Sequence, residues 1–438
     1  MRRGPTGLVG LLGALALVAA ACTAGTEGGQ SPSTGAREGE TILIGGVGPL
    51  SEPGAVTAGI DMRWAMEQAV SDVNAQGGVL GKKLELIFED TQNTPDVARS
   101  VAEKLVSEDH VVAVVGEYHS GAALAMVPVA NDSGVPFVFA ETWSDSITGG
   151  DPSDPTLPAD PPSVFRIAPT TSLVSNLFVD WLENGIHAHK FIHVYEASDY
   201  GLYEADLYKA LLQGTGIELV QVKVELNQAD YSAVMGRLAQ EHGDADVALI
   251  DVTGESGYTA VQNAFDAGLF GPDRNTICFA SQEAQNDRAW WRVVPDGAGC
   301  VFMFVGPPPS AYNDMTRSVA ERYQARFGGQ PNVWTFEAYD AVRLVADAIE
   351  RAGSTEPGAI VKALETTSFV GAQGRYSFPY GSQNPLPNDQ PSWMWHQWPD
   401  PTVQYLEYTQ KDQPLGEAAV VWPPSKQTDG TAYVSVRG

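Results

Sequence analysis

The chain has 438 residues, 43% of them hydrophobic and 18% charged, the balance of a folded protein with more than one core rather than of a disordered one. Its formal net charge of −28 argues against a nucleic-acid partner, because a phosphate backbone needs a basic footprint. The same charge argues against a stable electrostatic hold on anionic lipid.

At the N-terminus, Arg2 and Arg3 precede an apolar stretch from Leu8 to Ala21 that ends in Ala19, Ala20 and Ala21, with Cys22 next. A basic head, a short apolar middle and small residues before a cleavage point make a secretory signal over residues 1–21. A bilayer core needs roughly 20 apolar residues, more than this stretch offers. The segment resembles a bacterial lipoprotein signal, in which such a cysteine becomes the lipidated first residue, although Ala19 stands where a large aliphatic side chain is usual. Cleavage without lipid is the alternative, and either route puts the mature protein outside the cytoplasm. Residues 22–40, mostly Gly, Ser, Thr and Glu, read as a flexible tether with a reach of ~20–25 Å.

From Thr41 onward short apolar strings alternate with helical periodicity. TILIGGV is a strand, and Ile60, Trp64, Ala65, Ala69 and Val73 follow on one helical face until Gly77-Gly78. LELIFED alternates as a strand, and Thr94-Pro95 opens a helix with the hydroxyl as cap. VVAVV (111–115) and VPFVFA (135–140) are strands with a helix between them starting near Gly121. The rhythm restarts at KFIHVYEA (190–197) and runs through IELVQVKVE, DVALID, TICFA and CVFMFV, with helices between; helical runs at 310–327 and 334–352 form a coda. Two α/β sheets in tandem, each mostly parallel and covered by helices, is the fold these strings predict. The proline- and aspartate-dense GGDPSDPTLPADPP (149–162) reads as a surface excursion or a lid.

The strings ILIGGVGPLSEPG, DVNAQGGVLGKKLELIFED, VVAVVGEYHSGAALA, VFRIAP, ASDYG, ADYSAVMGRLAQEHGDADVALID and VWTFEAYDAVRLVADAIERAG resemble, in this order, the periplasmic branched-chain amino-acid binding proteins that feed ABC transporters. The resemblance covers roughly residues 41 to 400. It implies a two-lobed type I binding-protein fold, α/β in both lobes, with three crossings, expected near Ala168, Val305 and Gly371. Residues 41–168 with 306–370 then make lobe 1, and 169–305 with 371–438 make lobe 2. It further implies a small-molecule ligand, an amino acid or similar, held in the cleft and passed to ABC permease subunits. The protein would act as a monomer, membrane-attached through the lipid anchor, with no cofactor and no metal.

In open parallel sheets, ligands bind beyond the carboxyl ends of the strands. Four such ends carry polar or aromatic residues: 117–120, 141–143, 199–201 and 281–283. By the resemblance, Ser120 and the amides of Ser120 and Gly121 hold a carboxylate at a helix start, where donors are unpaired and the dipole favours an anion. Ser120 as a helix cap is the alternative. Thr142 matches a second hydroxyl, the Ala140 carbonyl suits an ammonium group, Tyr200 matches an aromatic that closes over the ligand, and Glu283 matches a carboxylate for the amine. A solvated loop acid is the other reading of Glu283. Where the family often has an aromatic wall this chain has Ala58, and Trp143 is either its replacement or a core residue. Glu117, Tyr118, His119 and Glu141 are larger and more polar than usual at these turns, which points to a ligand with extra positive or hydrogen-donating groups.

Cys278 and Cys300 both lie in strand-like strings, so a disulfide and two buried thiols are both open. A hydrolase is disfavoured: Gly254-Glu255-Ser256-Gly257-Tyr258 lacks the glycine spacing of a nucleophile elbow, and His119 and Ser120 are chain neighbours. His187, His189 and His193 do not converge on a metal without a third partner. A sensor of the same fold, reporting to a receptor, is the remaining rival.

Overall fold

In the computed structural model, which describes residues 41–428 except Pro152 and Pro155, the βα rhythm of the sequence becomes two sheets. The expected signal segment, Cys22 and the tether lie outside the described residues, as do residues 429–438. The first sheet draws on β1 (Thr41–Gly48), α1 (Val56–Ala75), β2 (Lys83–Asp90), α2 (Pro95–Ser107) and β3 (Val114–Gly116). It continues through α3 (Ser120–Ser133), β4 (Phe137–Phe139), α4 (Ser146–Gly149) and β5 (Val164–Arg166). Its strand order is β2-β1-β3-β4-β5, all parallel.

The second lobe begins with α5 (Thr171–Asp180), β6 (Lys190–Glu196), α6 (Asp199–Leu211), β7 (Glu218–Val224) and α7 (Ser232–Glu241). There follow β8 (Val247–Asp251), α8 (Glu255–Asp266), β9 (Ile277–Phe279), α9 (Asp287–Val293) and β10 (Val301–Val305). The chain then returns to lobe 1 with α10 (Asp314–Phe327), α11 (Val333–Ala352), α12 (Pro357–Glu365) and a two-stranded ribbon, β11 (Phe369–Val370) with β12 (Arg375–Tyr376). It ends in lobe 2 with β13 (Val403–Glu407) and β14 (Ala419–Trp422), giving the order β14-β13-β10-β9-β8-β6-β7. The last two strands are antiparallel. Each lobe therefore repeats one doubly wound plan, with the order reversing between β1 and β3 in one and between β6 and β8 in the other.

Period-two burial explains why both faces are covered. Ile42 and Ile44 pack toward α1 and α11, while Val47 and Val114 pack toward Ala102, Leu105 and Met126 on α2 and α3. In lobe 2, Ile192 and Val194 meet Met235, Leu238 and Val261 on α7 and α8, and Phe191 turns to Phe178 and Tyr208 on the other side.

Two local expectations change. Pro95 opens α2, but the Thr94 side chain makes no capping bond. The third crossing falls later than near Gly371, because residues 372–398 stay against lobe 1. Asp340 of α11 accepts from Ala372 N and Gln373 N, Trp398 N donates to Arg166 O, and the Trp395 indole donates to Pro161 O. The passage lies at 399–402, beside the others: Gly306 N donates to Thr402 O at 2.7 Å, and Gln397 Nε2 to Ala168 O at 2.7 Å. The coda is not purely helical, since β13 and β14 extend the second sheet.

Candidate functional site

The two points of strand-order reversal face each other across the lobes, and such a reversal opens a crevice at the strand ends. On the lobe 1 side, Gly116 has φ 113°, and a Cβ there would stand 2.4 Å from Val47 O, so only glycine fits the end of β3. Glu117 follows at φ 71°, in the left-handed region that non-glycine residues rarely occupy. Its Oε1 accepts from the amides of Tyr118 and His119, both at 3.0 Å, which secures the turn into α3. Ser281, at the end of β9 on the opposite side, has φ 44°. Strain at two facing strand ends is a marker of a functional cleft.

Side chains from the four predicted strand ends meet there. The Tyr118 hydroxyl donates to Glu283 Oε1 at 3.1 Å, which also accepts from Gly254 N at 3.0 Å. His119 Nε2 lies 3.1 Å from Glu196 Oε1, and Glu196 Oε2 accepts from Thr253 N and Oγ1. Ser120 Oγ accepts from Trp143 N and Ser144 N, both at 3.1 Å, binding the loop after β3 to the loop after β4. Gly121 lies under Asp199, whose Oδ2 would be 3.2 Å from a Cβ at that position. The Ala140 carbonyl accepts from Thr142 N at 2.9 Å, and the Thr142 hydroxyl is fully buried without a partner. Glu141 faces Glu337 of α11, Gln282 and its near neighbour Trp143.

Tyr200 points elsewhere: its hydroxyl faces Asp251 of its own lobe. Asp251, Glu204 and His193 form a buried group whose ligand atoms lie within 4.8 Å of one another. Gln221 Nε2 donates to Ala205 O at 2.6 Å and stands 3.4 Å from His193 Nδ1, while His193 Nε2 and Glu204 Oε2 lie 3.3 Å apart with no hydrogen bond between them. His187 and His189 are exposed.

Burial dominates the electrostatics. Glu117, Glu141, Glu283 and Glu337 are all pushed above the ordinary carboxylate range because a buried charge loses its hydration, with Glu141 reaching about 7. Burial also works to lower His119, but the hydrogen bond and charge of Glu196 outweigh it and hold the imidazole above its ordinary value. Glu196 moves the other way, burial being overcome by His119, Ser198 and Thr253. The cleft is thus an acceptor-rich space that keeps protons when no cation is present.

Sequence reasoning passed over Glu337 and Glu196, and took in Gln282 only as part of the strand end 281–283. Glu337 carried a readable signal, since it sits among Trp334, Ala341 and Leu344 on the apolar face of α11 where a carboxylate has no reason to be. Glu196 had none, because strand-end residues look alike until the opposing lobe is known. Cys278 and Cys300 form a disulfide.

The sequence profile of the periplasmic binding protein family matches residues 41–385. An "Amino acid binding protein" from Pseudomonas aeruginosa is 24% identical over 338 residues, 76% of this chain and 85% of its own length. "Leu/Ile/Val-binding protein homolog 3" from Brucella melitensis is 26% identical over 325 residues, 74% of this chain and 83% of its own. Among solved structures, the branched-chain amino acid transporter substrate binding protein LivJ from Streptococcus pneumoniae, in complex with isoleucine, superposes with a TM-score of 0.70 at 21% identity, covering 88% of this chain and 100% of its own. A solute binding protein of an ABC transporter from Rhodopseudomonas palustris, in complex with 3,4-dihydroxybenzoic acid, reaches 0.69 at 20% identity over 84% and 93%. Those two likenesses carry the fold, and the profile match over most of the chain carries the kinship. The chain belongs to the periplasmic binding protein family, with the two-lobed type I fold.

Proposed function

We propose that this protein is the extracytoplasmic, lipid-anchored substrate-binding component of an ABC importer, capturing an amino acid or amino-acid-like molecule between its lobes and delivering it to permease subunits. The observation that carries this reading is the group of strand-end side chains meeting across the lobes, among them Thr142 with a buried hydroxyl lacking a partner. Ser120, the Gly121 amide and the α3 N-terminus suit the ligand's acidic end. Thr142, Ala140 and Glu141 suit its amine, with Tyr118 and Trp143 supplying aromatic bulk. Cys22 would carry the lipid. Among the described residues no helix is long and apolar enough to cross a membrane.

A ligand without an amine is the second reading, because the Rhodopseudomonas palustris relative of this fold holds a dihydroxybenzoic acid. Four buried carboxyls in the cleft weigh against it, since each would repel an unaccompanied anion once ionised. Native mass spectrometry of the protein as purified, with identification of the molecule released on denaturation, decides between them. An amine-bearing acid supports the proposal, and an aromatic acid or an amide overturns its amino-acid part. A thermal-shift panel gives the same answer from outside: a ligand at ~100 times its Kd adds about 2.7 kcal/mol of stability.

A further inference from the structure

Glu283, the carboxylate matched above to a ligand amine, is already occupied by the Tyr118 hydroxyl and the Gly254 amide. Glu141 and Glu337 are in the opposite condition. Both are buried, at 2% and 0% exposure, and none of their four carboxyl oxygens makes a well-formed hydrogen bond, Glu141 having only Glu337, Gln282 and Trp143 close by. Beside them stand the Gln282 Oε1 and the Trp143 Nε1–H, also buried and also without a well-formed hydrogen bond, both side chains acting on Glu141. Glu141 and Trp143 come from the loop after β4, Glu337 from the second turn of α11, and Gln282 from lobe 2, so the group straddles the cleft.

We propose that Glu141 and Glu337 are the seat of a cationic group of the ligand, so that the captured molecule is an amino acid with a basic side chain or a closely similar amine. This rests on the reading of the cleft as an amino-acid site. Two carboxyls buried side by side cannot both ionise without a counter-charge, and an ammonium or guanidinium brings both the charge and the well-formed hydrogen bonds that these five oxygens lack. The other titratable groups acting on the pair are acidic or phenolic. Asp340 acts on Glu337, but its own oxygens are held by Ala372 N, Gln373 N and the Tyr376 hydroxyl, and Tyr118 feels Glu141. No basic side chain is among the groups that act on either carboxyl. Without ligand the pair retains protons, since burial raises both groups. A bound cation displaces a proton, so affinity for it rises with pH through neutrality.

Isothermal titration of the full chain with L-arginine, L-lysine, L-leucine and 1,4-diaminobutane, at about pH 6 and about pH 8, tests the seat. The basic amino acids are expected to bind about tenfold or more tightly than L-leucine at the higher pH, with a smaller preference at the lower. Glu337→Gln and, independently, Glu141→Gln should abolish that preference, with thermal melts confirming that each variant folds. Equal affinity for L-leucine and L-lysine overturns the seat while leaving amino-acid capture intact. Binding of 1,4-diaminobutane with no amino acid bound keeps the seat and overturns the amino-acid reading. A basic preference that survives both substitutions, or no binding of any basic probe, overturns the seat.

Discussion

Ser120 and Thr142 are two hydroxyls at the ends of neighbouring strands, yet they do opposite things. Ser120 Oγ accepts two backbone amides, Trp143 N and Ser144 N, and so fixes one loop to another. Thr142 Oγ1 is equally buried and accepts nothing. Removing the first strands two buried donors, so Ser120→Ala should cost about 2 kcal/mol in urea unfolding. Thr142→Val should leave stability within about 0.5 kcal/mol and lower affinity for the ligand about tenfold. A Thr142→Val protein that binds as tightly as the wild type removes that hydroxyl from the site. The sequence pointed at the right turns, because strand ends in a parallel sheet are where binding happens. It did not say which side chain each turn keeps for itself: Glu117 secures its own loop, and Tyr200 turns to Asp251.

Among elements, β9 and β10 show what pairing alone leaves undone. They are parallel neighbours with one register position inside the strands, Val301 opposite Phe279, and two more backbone bonds at its edge, Ala280 N to Val301 O and Met303 N to Ser281 O. The disulfide from Cys278 to Cys300 crosses this short seam, closing a loop with a separation of 22 residues. Replacing both cysteines with alanine should lower stability by about 3 kcal/mol, measured by urea unfolding, through the freedom returned to the unfolded chain. A change under about 1 kcal/mol would mean that the buried seam holds without its crosslink. The alternation of strands and helices from β1 to β10 was readable because each string repeats its own burial period. The ends were not. β13 and β14 lie in a proline-rich stretch whose short runs have no period until β10 offers an antiparallel edge. The stretch 372–398 was assigned to the wrong lobe because its attachments, to Asp340 and Arg166, are long-range.

At the scale of the whole molecule, the lobes are held together by hydrogen bonds that cross between them, and the pair His119 with Glu196 responds to pH. Besides Tyr118 with Glu283 and His119 with Glu196, the Thr57 amide donates to Glu255 Oε1 at 2.9 Å and the Tyr203 hydroxyl to Asp145 Oδ2 at 3.0 Å. Glu196, Glu117 and Asp199 all act on His119 and raise it above 6.5 despite burial, so its contribution to closure is full below 6.5 and fades as pH rises through the raised value. Glu196 is held below 4.5, so its contribution is present above 4.5 and fades as pH falls through the lowered value. Closure from this pair is therefore best between about 4.5 and 6.5. The raised carboxyls of Glu141, Glu283 and Glu337 act in the same sense, since ionising them in the closed cleft costs hydration that opening restores. Small-angle X-ray scattering of the ligand-free protein should thus show the radius of gyration growing as pH is raised from about 6 to about 8.5, with His119→Gln removing part of the trend. Saturating ligand should suppress the growth, because it stabilises the closed state by its preference for it. A radius that does not change with pH in the free protein would show that the lobes are held by packing alone and that neither His119 nor the buried acids govern their opening.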